Sequence, residues 1–221
     1  GGDRVIEIEG IKIESEGKVV ESGSGEVEIK SSEVIGDIEV QGKGEVKVEG
    51  SKVEGKVEAR GVSEVAIGDS ELVGGWIRVE EGSEIEVEGS EIEGIRDIEI
   101  EGRMGIRGSE VSSKEGIRKR KGEVVKIERS KVAGEIYIDE GESEITDSEV
   151  RGEEYGIRVG NRGGIKVGRS KVEGEIGIEV GERSGLELGE GLEIKSKEIG
   201  IKVGGDRVIE IEGIKIESEG K

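Results

Sequence analysis

Carboxylates are the groups in this chain that could do chemistry, and their abundance works against any one of them. A pair of acidic side chains can divide general acid and base roles, and a cluster can hold a hard divalent cation. Here Asp and Glu number 54 in 221 residues. Glu pairs therefore occur everywhere, and none stands out. A carboxylate takes on chemical work through a perturbed environment, and these positions read as solvated. Asp is scarcer, at Asp3, Asp37, Asp69, Asp97, Asp139, Asp147 and Asp206. Only Asp139 and Asp147 lie close within one repeat unit. His and Cys are absent, which removes the imidazole proton shuttle, the thiolate nucleophile and the usual soft metal ligands. The GGDRV segments look like fragments of a calcium-binding Gly-Asp repeat, but that motif needs tandem copies in register. Phosphate-cradling Gly loops need a following helix, and no helical period is present. No catalytic, cofactor-binding or metal-ligating residue is assigned.

The one basic concentration is Lys114, Arg118, Lys119, Arg120, Lys121, Lys126 and Arg129. It reads as a solvated loop balancing charge, with an acidic partner or anion as the functional alternative. No aromatics interleave with it, and the net charge is −20. Both facts disfavour a nucleic-acid partner, since the phosphate backbone rewards clustered cations. Anionic membrane surfaces are disfavoured on the same ground. No apolar run is long enough to span a bilayer, and no signal peptide is legible. Trp76 and Tyr137 are opposite in parity to their apolar neighbours, so both are expected to face outward, three turns apart. With Thr146 as the lone threonine, a threonine-ranked ice-binding face is not expected.

The elements that would position such residues are set by repetition. A Ser-x-Val-x-Gly unit recurs with its serine at Ser32, Ser51, Ser70, Ser90, Ser109, Ser130, Ser148 and Ser170. Gly10, Gly191 and Gly213 continue the series at its ends. Repeats of this short period bury an apolar face only by stacking on their neighbours. Within one unit, Val53, Val57, Val65 and Ile67 share a parity, with Lys52, Lys56, Glu58, Glu64 and Ala66 on the other. Side chains alternate faces along a strand, so the first set points inward. The parity flips at Gly68-Asp69-Ser70, which predicts a corner there, with Gly supplying the curvature. Val34, Val53, Leu72, Ile92, Val111, Val132, Val150 and Val172 should then stack as one interior column. Outside it, Glu33, Lys52, Glu71, Glu91, Glu110, Lys131, Glu149 and Lys171 should form a mixed-sign column. Glu71, Glu91 and Glu110 should repel one another there. The expectation is one all-β domain over 1–221, a right-handed parallel β-helix of about ten coils, roughly 48 Å long at the usual strand spacing. An antiparallel sheet is the rival, but the Asn-Gly or Asp-Gly signature of tight hairpins is missing.

Two resemblances follow from these residues. The stretch GIRVGNRGGIKVGRSKVEGEIGIEVGERSGLELGEGLEIKSKEIGIKV, from Gly156 to Val203, resembles tandem parallel β-helix repeats of the pectin-lyase-like superfamily. That resemblance implies the fold. Its enzymes act on polysaccharides through Asp clusters with a basic residue, sometimes with calcium, and no unit here gathers such a set. The composition itself resembles a computational design: no Pro, Phe, Cys or His, and one each of Asn161, Gln41 and Thr146. An acidic protein of a thermophile or halophile is the alternative source. A design would be expected from recombinant cytoplasmic expression.

The last sharp feature is a duplication. Gly1 to Lys18 reads GGDRVIEIEGIKIESEGK, and so does Gly204 to Lys221. Open ends of a β-helix can template another chain. The expected function is a structural scaffold without catalytic activity. The alternative is a building block that stacks end to end through the duplicated segments, or exchanges them.

Overall fold

Alternation of Val, Ile and Leu with Glu and Lys gives each short strand one apolar face, and a coil closed on itself turns that face inward. A computed structural model describes residues 5–204 and 213–219. The chain forms a parallel β-solenoid of about ten turns, with about 20 residues per turn. One turn consists of Lys52–Glu54, Val57–Ala59 and Glu64–Gly68, and the next of Glu71–Val73, Ile77–Val79 and Glu84–Glu88. Each strand pairs in parallel with its counterpart one turn on. Three ladders result, here called the first, second and third sheets in chain order. No antiparallel pairing occurs among the described strands, so the rival fold falls.

The predicted interior column is present. Val34, Val53, Leu72, Ile92, Val111, Val132, Val150 and Val172 are in register, one per turn, and all are buried. The second sheet contributes a column of Ile38, Val57, Ile77, Ile98, Ile117, Ile136, Ile157 and Ile178, also buried. Each such side chain adds about 1.5–3 kcal/mol of hydrophobic stabilisation. Aliphatic stacking of this kind fills the interior, where no aromatic is buried among the described residues.

The corner before the first sheet differs from the sequence expectation. Gly50, Gly89 and Gly108 occupy it with φ of 55°, 60° and 57°. In other turns Ser31, Asp69, Arg129, Asp147 and Arg169 hold the same left-handed conformation, with φ between 47° and 52°. The corner demands the backbone angle, and Gly is only its cheapest occupant. Glycine is required more strictly at the bend between the first and second sheets. A Cβ on Gly75 would lie 2.3 Å from the Gly55 carbonyl oxygen, and one on Gly55 would lie 2.3 Å from that of Gly36.

The repeated serine is more than a marker. It is buried in every turn from Ser32 to Ser170. The amide of Ser70 donates to Oγ of Ser90 at 3.1 Å, and the same relation links Ser51 to Ser70 and Ser90 to Ser109, each at 3.2 Å. Each hydroxyl in turn donates to the carbonyl two residues back, as Ser90 does to Glu88 at 2.8 Å. The ladder runs to Ser148 and Ser170 at 3.1 Å. Its apolar ends are Ile11, whose amide reaches Ser32 Oγ at 3.3 Å, and the buried Leu192, at the next position beyond Ser170.

Candidate functional site

The outward face of the second sheet collects the side chains with the richest chemistry. One residue per turn builds the column Glu58, Arg78, Glu99, Arg118, Tyr137, Arg158, Glu179 and Lys202, each in register with the next. Arg78 Nη2 lies 2.9 Å from Glu99, and Arg120 reaches the other oxygen of that carboxylate at 2.7 Å. Arg158 Nε lies 2.9 Å from Glu179, which also receives Lys202 at 2.6 Å. Opposite charges alternate along the solenoid axis, so attraction between turns replaces a single charged field.

The aromatics sit within this column or at its edge. Arg78 lies 4.7 Å and Lys56 5.7 Å from the Trp76 ring. Arg158 lies 5.8 Å from Tyr137 and 4.8 Å from Tyr155. Trp76 and Tyr137 are opposite in face to the buried Ile77 and Ile136, as parity predicts, and are half-buried because cations pack over them. Tyr155 escaped the sequence reading, although it stands only three residues before Arg158 in the strand Tyr155–Gly168 and that spacing could have flagged the pair.

Around Tyr137 lies a concavity of about 520 Å³ lined by Arg118, Arg120, Glu135, Tyr137, Asp139 and Arg158. Tyr137 donates to Asp139 at 3.4 Å. Burial pushes the Tyr137 phenol and the Glu135 carboxyl above their ordinary values, with Asp139 adding to the effect at Tyr137. A second hollow, about 630 Å³, lies on the third sheet between Lys47, Ala66, Asp69, Glu86, Arg107 and Arg129. Glu86 there is raised chiefly by desolvation, then by neighbouring Glu84. Both hollows are charge-compensated and open.

The basic run from Lys114 to Arg129 is not one solvated loop. Arg118 and Lys119 lie in the strand Ile117–Lys119, and Lys126 in Val125–Glu128. Lys121 pairs with Glu81 at 3.1 Å, and Arg118 with Glu115 at 3.4 Å. Lys119 points inward, in the apolar column of Val79, Ile100, Ile138 and Val159, and is 1% exposed. Its Nζ donates to the carbonyls of Glu140 and Glu142 at 2.7 and 3.1 Å. Burial lowers its pKa, and the Glu142 carboxylate opposes that shift. The parity of Ile117 and Lys119 was the signal for this, masked by the cations on either side.

Of the two neighbouring aspartates, Asp139 joins Tyr137 on the second sheet. Asp147 stands at a corner, bonded twice by Arg169 at 2.7 and 2.8 Å. They line different hollows and form no pair. Asp37 receives Lys56 at 3.3 Å. Asp3 and Asp206, and most of both GGDRV segments, lie outside the described residues. Among the described residues, no group of three or more His, Cys, Asp or Glu is placed to hold a metal ion.

Fold and surface together define a parallel β-solenoid repeat protein with an internal serine ladder. Comparison with protein-family models, curated proteins and solved structures found no match.

Proposed function

We propose that the chain is a designed structural scaffold, a right-handed parallel β-helix without natural biochemical activity. The observation that carries this reading is the serine ladder from Ser32 to Ser170, which gives successive turns the same buried hydrogen bond. A chain built on one repeated turn, from a narrow set of residues, is what construction by rule produces. The resemblance to the pectin-lyase-like superfamily rests on short repeat motifs and carries no activity to this chain. The test is incubation with neutral and acidic polysaccharides, with and without calcium, alongside a thermal melt. A single cooperative, high-temperature transition with no sugar released is the expected result. Saccharide release lost in Asp139→Asn would overturn the reading in favour of a carbohydrate-active protein.

A second reading is a building block that associates through its duplicated segments. Its support is that both copies are held in parallel register by a neighbouring turn: Lys12 to Glu14 against Glu33 to Ile35, and Lys215 to Ser218 against Glu193 to Ser196. Light scattering behind size exclusion, over a hundredfold range of concentration, tests it. A mass that stays at that of a single chain throughout would end it.

A further inference from the structure

The duplicated segment occupies two opposite places in the stack, and this decides how two copies can join. Near the start of the chain, residues 10–16 lie beneath the turn that begins at Ser32, with Lys12 Nζ 3.2 Å from Glu33. Near the other end, the same sequence at 213–219 lies on top of the turn that begins at Gly191. There Lys215 Nζ is 3.1 Å from Glu193, Ile216 is in register with Ile194, and Glu217 with Lys195. One sequence thus fits both as a floor for Glu33 and as a roof for Glu193. Large exposed apolar side chains mark both places: Val5, Ile6 and Ile11 at one, Ile199 and Ile216 at the other.

Two modes of joining compete. Direct stacking would set one copy of the segment on the other in parallel register. Lys12 would then face Lys215, Glu14 would face Glu217, and Glu16 would face Glu219. Like charges directly opposite are destabilising. In the exchange mode, residues 10–16 of an incoming chain replace residues 213–219 on the Glu193 turn. Lys12 then stands between Glu193 and its own Glu33, Ile13 covers Ile194, and Glu14 meets Lys195. Contacts to the Glu193 turn are the same as those lost. The lower apolar face of the incoming first turn is newly covered, and the displaced segment regains chain entropy.

We infer that copies of this chain join head to tail by segment exchange, the residue 10–16 strand of one displacing the residue 213–219 strand of the next. The inference rests on the self-assembly reading and specifies its interface. Such a contact is heterologous and does not close, so it yields linear chains of solenoids. The net charge of −20 opposes the approach, so joining increases with salt.

The experiment is light scattering behind size exclusion at low and moderate salt on three forms of the full chain. The unaltered chain should rise from the single-chain mass to multiples of it as concentration and salt increase. Lys12→Glu sets Glu against Glu193 under exchange, and the mass should fall back to the single chain. Under direct stacking the same substitution faces Lys215 and should raise the mass. The third form carries Lys195→Cys and Glu217→Cys, register partners whose disulfide clamps the residue 213–219 strand in place. Oxidation should block joining, and reduction should restore it. Joining that survives the clamp, or that Lys12→Glu strengthens, overturns exchange while leaving self-assembly standing. A mass that stays at the single-chain value in all three forms overturns both.

Discussion

Ser70 and Ser90 hold the relationship on which this fold turns: the amide of one donates to the hydroxyl oxygen of the next at 3.1 Å, in a buried corner. The Ser90 hydroxyl donates in turn to the Glu88 carbonyl at 2.8 Å, so donor and acceptor are both used. A buried polar array is an asset only when every member is satisfied.

Ser90→Ala removes the acceptor for the Ser70 amide and one donor to Glu88. The loss should be about 1–3 kcal/mol, the usual cost of leaving buried polar groups unpaired. Urea unfolding followed by circular dichroism measures it. A change within error would mean that water or a shifted backbone replaces the ladder.

Lys119 is the charged member of an otherwise aliphatic column, and Lys119→Met keeps its length without its charge. Removing the buried charge spares its desolvation cost, an advantage set against about 1–3 kcal/mol for leaving the Glu140 and Glu142 carbonyls without their donor. The folded-state pKa of Lys119 lies below 10.5. The unfolded chain therefore binds the proton more readily, and this residue's contribution to stability rises with pH up to about the unfolded value. The advantage of Lys119→Met should be largest at neutral pH and shrink on approach to pH 10.5. An advantage that grows with pH would contradict the assignment.

Glycine matters differently at the two corners. Gly108 has φ of 57° with open space where a Cβ would go, so Gly108→Ala should cost only the backbone term of about 1–2 kcal/mol. Gly75→Ala meets the Gly55 carbonyl as well and should cost clearly more. Conversely, Arg129→Gly at φ 50° should stabilise by about 1 kcal/mol. Thermal midpoints of the three variants rank them, and equal losses at Gly75 and Gly108 would refute the distinction.

The outer column of the first sheet alternates in sign where Lys52 meets Glu71 at 2.9 Å, then runs through Glu71, Glu91 and Glu110. Glu91 is raised above the usual carboxylate range, first by Glu93 and further by Glu110 and Glu71. Glu91→Lys should raise the melting temperature at low salt, with the gain fading at high salt as screening takes over. A salt-independent gain would point to packing instead. For Glu91 itself, repulsion destabilises the fold above its folded-state pKa and is relieved as pH falls through it. The ion-paired Glu173 is held low by Lys171 and then Arg151. Its stabilisation is present above the unfolded carboxylate pKa and lost in more acid solution.

Much of this protein was legible in its residues. The period of the serine marks gave the turn length, and parity gave the column from Val34 to Val172, because a strand's faces alternate whatever its partners. Parity also gave the Glu71, Glu91 and Glu110 clash. The sequence alone therefore determined the solenoid, its core and its charge pattern. Tertiary structure decided what depends on neighbours one turn away. Only stacking turns the serine marks into a ladder, since the amide and the hydroxyl that it joins lie about twenty residues apart. Stacking gives the inward Lys119 its acceptors, the Glu140 and Glu142 carbonyls of the next turn, and brings Arg158 to Tyr137. It also gives one duplicated sequence two opposite places, against Glu33 and against Glu193. Contacts across turns are set by register, and register is a property of the closed coil, not of any short stretch of chain.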